Sequence, residues 1–246
     1  MATLDFSQFR VLTFDCYGTL VDWERGIARV LQRWARRHGL ALEDDELLEA
    51  FAASEARQEQ QAEFRLYPDV LRAVHHEIGQ RFGRPVLRED ADALAESVGE
   101  WPPFADTTEA LRRLQRRYRL MVVSNVDRAS FSRTQQQLGI VFDAVVTAEA
   151  VRAYKPDRRM FERALESAAA LGATADQVLH VAQSLYHDIV PAKALGLATV
   201  WVNRRAGKSG WGATRPPDRS VSPDLEVRSL AELAELATGA GPRAVP

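Results

Sequence analysis

Cysteine is almost missing from this chain. The single residue Cys16 in 246 positions excludes an intrachain disulfide and fits a reducing compartment. Long apolar runs are missing as well: nothing approaches the roughly 18 residues of a membrane span. Met1-Ala2-Thr3-Leu4-Asp5 has neither the basic flank nor the apolar core of a signal peptide. The expectation is a cytoplasmic protein with no membrane partner. Charge of one sign is not in excess either, since 32 Lys and Arg stand against 34 Asp and Glu for a formal charge of -2. No global field therefore draws the chain to nucleic acid. No internal repeat is visible. What is present is 46% hydrophobic residues, enough to bury a full core in one large domain or in a core with a smaller insertion.

The pattern changes along the chain. A short apolar run, Val11-Leu12, leads into Phe14-Asp15-Cys16-Tyr17-Gly18-Thr19-Leu20. Trp23, Ile27, Val30, Leu31 and Trp34 then recur at helical spacing, with Asp22 as N-cap and Gly39 as stop. Leu47, Leu48 and Phe51 continue the period, then Val70, Leu71, Val74, Ile78 and Phe82 after Pro68, then Ala91, Leu94, Ala95 and Val98. No strand candidate falls between about 22 and 100, and Trp101-Pro102-Pro103 cannot prolong a helix. Residues 22–103 are expected to form a helical domain inserted into a core made of 1–21 and 104–246.

Beyond the insertion, short apolar strands at 120–124, 144–147, 178–182 and 198–202 alternate with helices near 107–117, 129–138, 158–171 and 191–195. Gly139, Gly172 and Gly196 sit as helix stops. This is the grammar of an α/β fold with a doubly wound, Rossmann-like parallel sheet. The stretch 207–223 reads as an exposed loop, 230–236 as a last helix, and 239–246 as a frayed end. The basic run 111–117 has its leucines on one face and reads as a solvated helix side. His75-His76 suits a helix flank better than a metal site, because adjacent helical residues point about 100° apart.

In such a sheet, reacting groups collect beyond the carboxyl ends of the strands. Asp15 ends the first strand and is read as a nucleophile; Gly18 permits a tight turn, and the Thr19 hydroxyl can hold one carboxylate oxygen. Ser124, Asn125, Lys155, Ser184 and Asp188 follow other strand ends and are expected to meet beside Asp15. Cys16, facing opposite to Asp15 on extended backbone, should point into packing.

Asp15-Cys16-Tyr17-Gly18-Thr19-Leu20, Val123-Ser124-Asn125, Tyr154-Lys155-Pro156-Asp157 and His180-Val181-Ala182-Gln183-Ser184 with Asp188 stand in the order of four motifs. In this the chain resembles the haloacid dehalogenase superfamily over nearly its whole length, and the helical insertion resembles that superfamily's cap domain. Most members are phosphatases with a second Asp two residues after the nucleophile, where it protonates a departing alkoxide. Here that residue is Tyr17, a far weaker acid, and a halide needs no proton to leave. Asp-x-Tyr-Gly-Thr is similar to the L-2-haloacid dehalogenases. Phosphatases carry Gly-Asp in the fourth motif, whose Asp helps hold Mg²⁺; here the pair is Ala182-Gln183. The resemblance thus implies no metal and no cofactor, with only a carbonyl from Gln183 left open as a ligand.

By resemblance, Lys155 orients Asp15, Asp188 positions Lys155 and the hydrolytic water, and Ser124 and Asn125 support Asp15 and contact the halide. Tyr17 and Ser184 are placed in substrate binding. Arg57, in Arg57-Gln58, matches the cap arginine that receives the halide. The implied reaction is metal-independent hydrolysis of a small 2-haloalkanoic acid through an aspartyl ester, and the family suggests a homodimer. Phe161 in place of a Tyr, and the unusual segment 183–188, mark a divergent sub-branch. Two alternatives stay open: a Mg-dependent phosphatase of small monoesters, and attack on another activated carbon such as a strained cyclic imino acid.

Overall fold

A computed structural model describes residues 4–239, so the expected frayed end lies almost wholly outside the described residues. Among these, six parallel strands form one sheet in the order β3-β2-β1-β4-β5-β6: β1 Val11–Phe14, β2 Arg119–Ser124, β3 Ala144–Thr147, β4 Val178–Ala182, β5 Ala198–Val202 and β6 Leu225–Val227. The order runs outward in both directions from β1 and β4. Right-handed crossovers then put helices on both faces, and the crevice opens at the strand ends where the winding reverses. Every residue of β1 and β4 is buried, as a central strand covered on both faces requires.

Four of the expected strands appear, three with the expected bounds and β2 one residue longer at its start. β6 was not foreseen: three residues behind a loop rich in Gly, Pro and Ser give too little pattern to read. Nor was α7, Ala148–Val151, a single turn.

Between β1 and β2 the chain makes α1 Trp23–Arg37, α2 Asp44–Glu59, α3 Tyr67–Arg81 and α4 Arg88–Glu96, then returns to the core through α5, Thr107–Gln115. Asp22 caps α1 by accepting from the backbone N–H of Arg25, and Gly39 follows its end at φ +65°. The helical block shares one apolar core with the sheet. No helix among the described residues is long and apolar enough to cross a membrane.

Two local expectations are corrected. His75, expected on a helix flank, is fully buried, with Nδ1 on the backbone oxygen of Asp90 at 2.9 Å and its ring edge-on to Trp34. The stretch 207–223 is not exposed throughout. It turns inward at Ala213 and Thr214, both buried, because Glu24 of α1 accepts from the Ala213 N–H at 3.0 Å and the Thr214 hydroxyl donates to Gln183 Oε1 at 3.0 Å.

Trp101, fully buried, closes the insertion. Its indole N–H donates to Ser97 Oγ at 2.9 Å, its ring meets Tyr17 edge-on, and Gly26 of α1 gives it room. A Cβ at position 26 would overlap the indole. Gly26→Ala gains about 1 kcal/mol of helix propensity against an overpacking cost of about 1–3 kcal/mol. The expected net result is a loss of stability, read as a lower urea midpoint with unchanged m-value.

Candidate active site

The turn after β1 carries the central carboxylate. Cys16 O accepts from the N–H groups of Leu20 and Val21 at 2.7 and 3.0 Å, and Gly18 N–H donates to Val21 O at 2.9 Å. This winding puts Gly18 at φ +93°, with Gln183 Oε1 and Trp23 Nε1 only 3.0 Å from where a Cβ would stand. Glycine is required there both for conformation and for space. The Thr19 hydroxyl donates to Asp15 Oδ2 at 2.6 Å and accepts from Gln183 N–H at 2.9 Å, so its orientation is fixed. Cys16 is fully buried, as expected, and burial raises its thiol pKa well above the usual value.

Lys155 lies in the loop after α7. Its ammonium donates to Asp15 Oδ1 at 2.8 Å, to Asp188 Oδ1 at 2.8 Å and to the Val123 carbonyl at 3.0 Å, and the side chain is 2% exposed. Asp188 sits on a turn of π-helix, Leu185–Ile189, that leads into the short helix Val190–Ala194; Ser184 caps this turn through the His187 N–H at 3.0 Å. Burial pushes the Asp188 carboxyl up, but the Lys155 ammonium and the hydrogen bond from His180 outweigh it and hold it below the usual range. For Asp15, burial is the larger effect and Lys155 offsets it only in part, so its pKa is raised. With the ammonium at contact distance, the carboxylate is still the form this geometry favours.

Asn125 does not bond to Asp15. It clamps the Lys155 backbone, accepting from its N–H at 2.6 Å and donating to its carbonyl at 3.1 Å, and it also donates to Glu59. Ser124 is fully buried and its hydroxyl has no partner. Tyr17 lines the cavity with its ring, while its hydroxyl pairs with Thr134 of α6, Arg128–Leu138, at 2.9 Å; burial raises its pKa well above the usual value.

The cavity at these groups has a volume of about 40 Å³. Asp15, Tyr17, Ser124, Asn125, Lys155, Ser184 and Asp188 line it, and Thr19 stands just behind Asp15. Arg57 is not among them, which corrects that expectation. Its guanidinium pairs with Glu77 of α3 at 2.6 Å and is 59% exposed. Residues two apart on a helix point about 200° apart, and on α2 the inward positions are Glu55 and Glu59.

Sequence reasoning missed several members. Glu55, Glu59 and Tyr67 face the cavity from the helical block, Thr214 from the late loop, and His187 from the π-turn. His180 joins the network from inside the sheet. Its Nε2 lies 3.0 Å from Asp188 Oδ1 and its Nδ1 2.9 Å from Thr13 Oγ1, on the neighbouring strand in register, and Phe161 packs edge-on to it. Two polar residues in register on otherwise apolar strands were the signal available.

Of the oxygens that could hold a magnesium ion, three are already engaged as acceptors and Asp188 Oδ2 is free. Asp15 Oδ1 and Asp188 Oδ1 both accept from Lys155, and Gln183 Oε1, the one ligand left open by the sequence, accepts from Thr214. Beside the cavity runs a larger cleft of about 380 Å³ that shares Glu59, Lys155 and His187 with it and carries Arg65, Arg152 and Arg159.

The sequence pattern of the haloacid dehalogenase-like hydrolases matches residues 9–196. An (S)-2-haloacid dehalogenase of Pseudomonas sp. (strain YL) is 30% identical over 146 residues, 58% of this chain and 58% of that protein. The (S)-2-haloacid dehalogenase H-109 of Pseudomonas putida is 26% identical over 238 residues, 91% and 96% of the two chains. The solved defluorinating L-2-haloacid dehalogenase Rha0230 superposes with a TM-score of 0.72 at 25% identity, covering 92% of this chain and 94% of that one.

Two outcomes are expected. Lys155→Ala leaves two buried carboxylates without their cation, and should lower unfolding free energy by about 3–5 kcal/mol in urea titrations at neutral pH. Arg57→Ala should leave turnover within about twofold, less than 1 kcal/mol, in steady-state assays; a hundredfold loss would return Arg57 to the site.

Proposed function

The chain belongs to the haloacid dehalogenase-like hydrolases, and from that premise we propose that it hydrolyses the carbon–halogen bond of a small 2-haloalkanoic acid through a covalent ester on Asp15, without a metal ion. The observation that carries this reading is the Lys155 ammonium at 2.8 Å from both Asp15 and Asp188, in the place where a cation is needed to hold a buried nucleophilic carboxylate ionised and aimed.

In the first step an Asp15 oxygen attacks C2 and displaces the halide with inversion. The hydrogen bonds from Thr19 and Lys155 fix the carboxylate beforehand, so little reorganisation is left for the transition state. The free Ser124 hydroxyl is a donor for the substrate carboxylate. In the second step water attacks the acyl carbon of the ester. The buried Asp188 Oδ2, which has no hydrogen-bond partner, is an acceptor for that water, while Asp188 Oδ1 holds Lys155. The arginines of the neighbouring cleft supply a positive approach for an anionic acid. A phosphatase reading lacks an acid in the place of Tyr17, whose proton is held more tightly than in water.

Single turnover of a 2-halo acid in heavy-oxygen water should place the label on Asp15 before it appears in product, with rates unchanged by chelator. Label entering product directly, with none on Asp15, would refute the covalent route. Asp15→Asn should abolish single-turnover ester formation in the same assay.

A further inference from the structure

The catalytic cavity, at about 40 Å³, is little above one water's share of about 30 Å³. It has room for the reacting centre of an acid and none for a chain beyond it. Such a chain has to lie in the adjoining cleft of about 380 Å³, which shares Glu59, Lys155 and His187 with the cavity. On the opposite side Thr214, buried and bonded to Gln183, closes the cavity toward the late loop. Glu59 stands in the wall between cavity and cleft, held by Asn125 Nδ2 at 3.2 and 3.3 Å. Burial pushes its carboxyl well above the usual range, so that wall carries no charge at neutral pH.

Inside the cleft the balance is positive. Arg65, Arg152 and Arg159 line it against Asp157 and Glu63, while Lys155 is paired with Asp15 and Asp188. Asp157 is taken up by Arg159 through two contacts, at 2.8 and 3.0 Å. Neither Arg65 nor Arg152 has a carboxylate partner among the described residues: Arg65 Nη2 donates to the Gln58 amide oxygen, and the Arg152 guanidinium lies 5.3 Å from the Phe64 ring centre. Both are anchored on one aromatic pair. Phe64 stacks on Tyr154 at 5.4 Å, and the Tyr154 hydroxyl donates to the Arg65 carbonyl at 2.9 Å. Arg152 also stands at φ +56°, the one non-glycine residue with a left-handed backbone among the described residues. That conformation favours Gly or Asn, so the turn does not explain the arginine.

We infer that Arg65 and Arg152 form a subsite for a second carboxylate, and that the substrate is a 2-halo dicarboxylic acid whose far end lies in the cleft. The inference rests on the Asp15 displacement proposed above and names the substrate class for it. A guanidinium fork without a partner suits a planar carboxylate, which can take two parallel N–H bonds from it. The reacting end stays beside Asp15, with the Ser124 hydroxyl as its donor. The chain has to carry the second carboxylate past Glu55 and Glu59, and a four-carbon diacid would leave it against those two carboxyl groups, which offer it no cation.

The test compares 2-bromohexanedioate, 2-bromohexanoate and 2-bromobutanedioate at about 0.3 M salt, where long-range steering is screened. In wild type, kcat/KM for the six-carbon diacid should exceed that for the monoacid of equal length by about tenfold or more, as a charge-assisted hydrogen bond provides. The four-carbon diacid should show no such gain. Arg65→Gln combined with Arg152→Gln should bring the ratio to about one, chiefly through KM; the paired Lys replacements, which keep charge without the fork, should restore only part of it. In calorimetric titration hexanedioate should bind wild type more tightly than hexanoate, and the Gln pair should lose that margin. The wild-type ratio and titration decide the matter if the variants do not fold. A ratio at or below one, or a preference that the Gln pair keeps, overturns the inference, and label on Asp15 then leaves the displacement standing. Absence of label on Asp15 from every acid overturns the displacement; equal binding of hexanedioate and hexanoate overturns the subsite by itself.

Discussion

The ammonium of Lys155 binds the carboxylate after β1, the carboxylate after β4 and a carbonyl of β2 in one stroke. Each of these three partners would be costly if buried alone; together they satisfy one another. The constraint reaches outward from there. Asn125 clamps the Lys155 backbone through both its amide atoms, the π-turn delivers Asp188 at the right depth, and the glycine turn leaves Asp15 with one oxygen for Thr19 and one for Lys155. The sheet order puts all of this at the point where the winding reverses, so rigid strands hold groups that loops alone would hold less well.

The two halves of the cavity have opposite characters. The sheet side is a compensated ion cluster whose charges are already paired. The helical side carries two carboxyl groups, Glu55 and Glu59, whose ionisation burial opposes.

Much of this could be read in the sequence, and what could not has physical reasons. The strands and helices followed from periodicity because their buried faces are long enough to repeat. Asp15, Lys155 and Asp188 followed from motif order at strand ends. Arg57 failed because a dipeptide match does not say which side of α2 faces inward. The buried run Leu47, Leu48, Phe51, Ser54 and Glu55 carried that information, and extending it by a turn reaches Glu59. Thr214 was hidden by composition: Gly, Pro and Ser mark a loop but not whether it folds back. His180 was read as part of a motif, yet its partner Thr13, in register on the next strand, shows only when the strands are paired.

That last contact ties the site to the middle of the sheet. Thr13 is buried among apolar neighbours, and by volume valine would replace it with little strain, so a search for thermostable variants would favour the exchange. The exchange would also remove the group that fixes His180 Nδ1, and with it the tautomer that faces Asp188. In this fold a gain in core hydrophobicity two residues before Asp15 takes a hydrogen bond away from the chain of contacts that ends on Asp188.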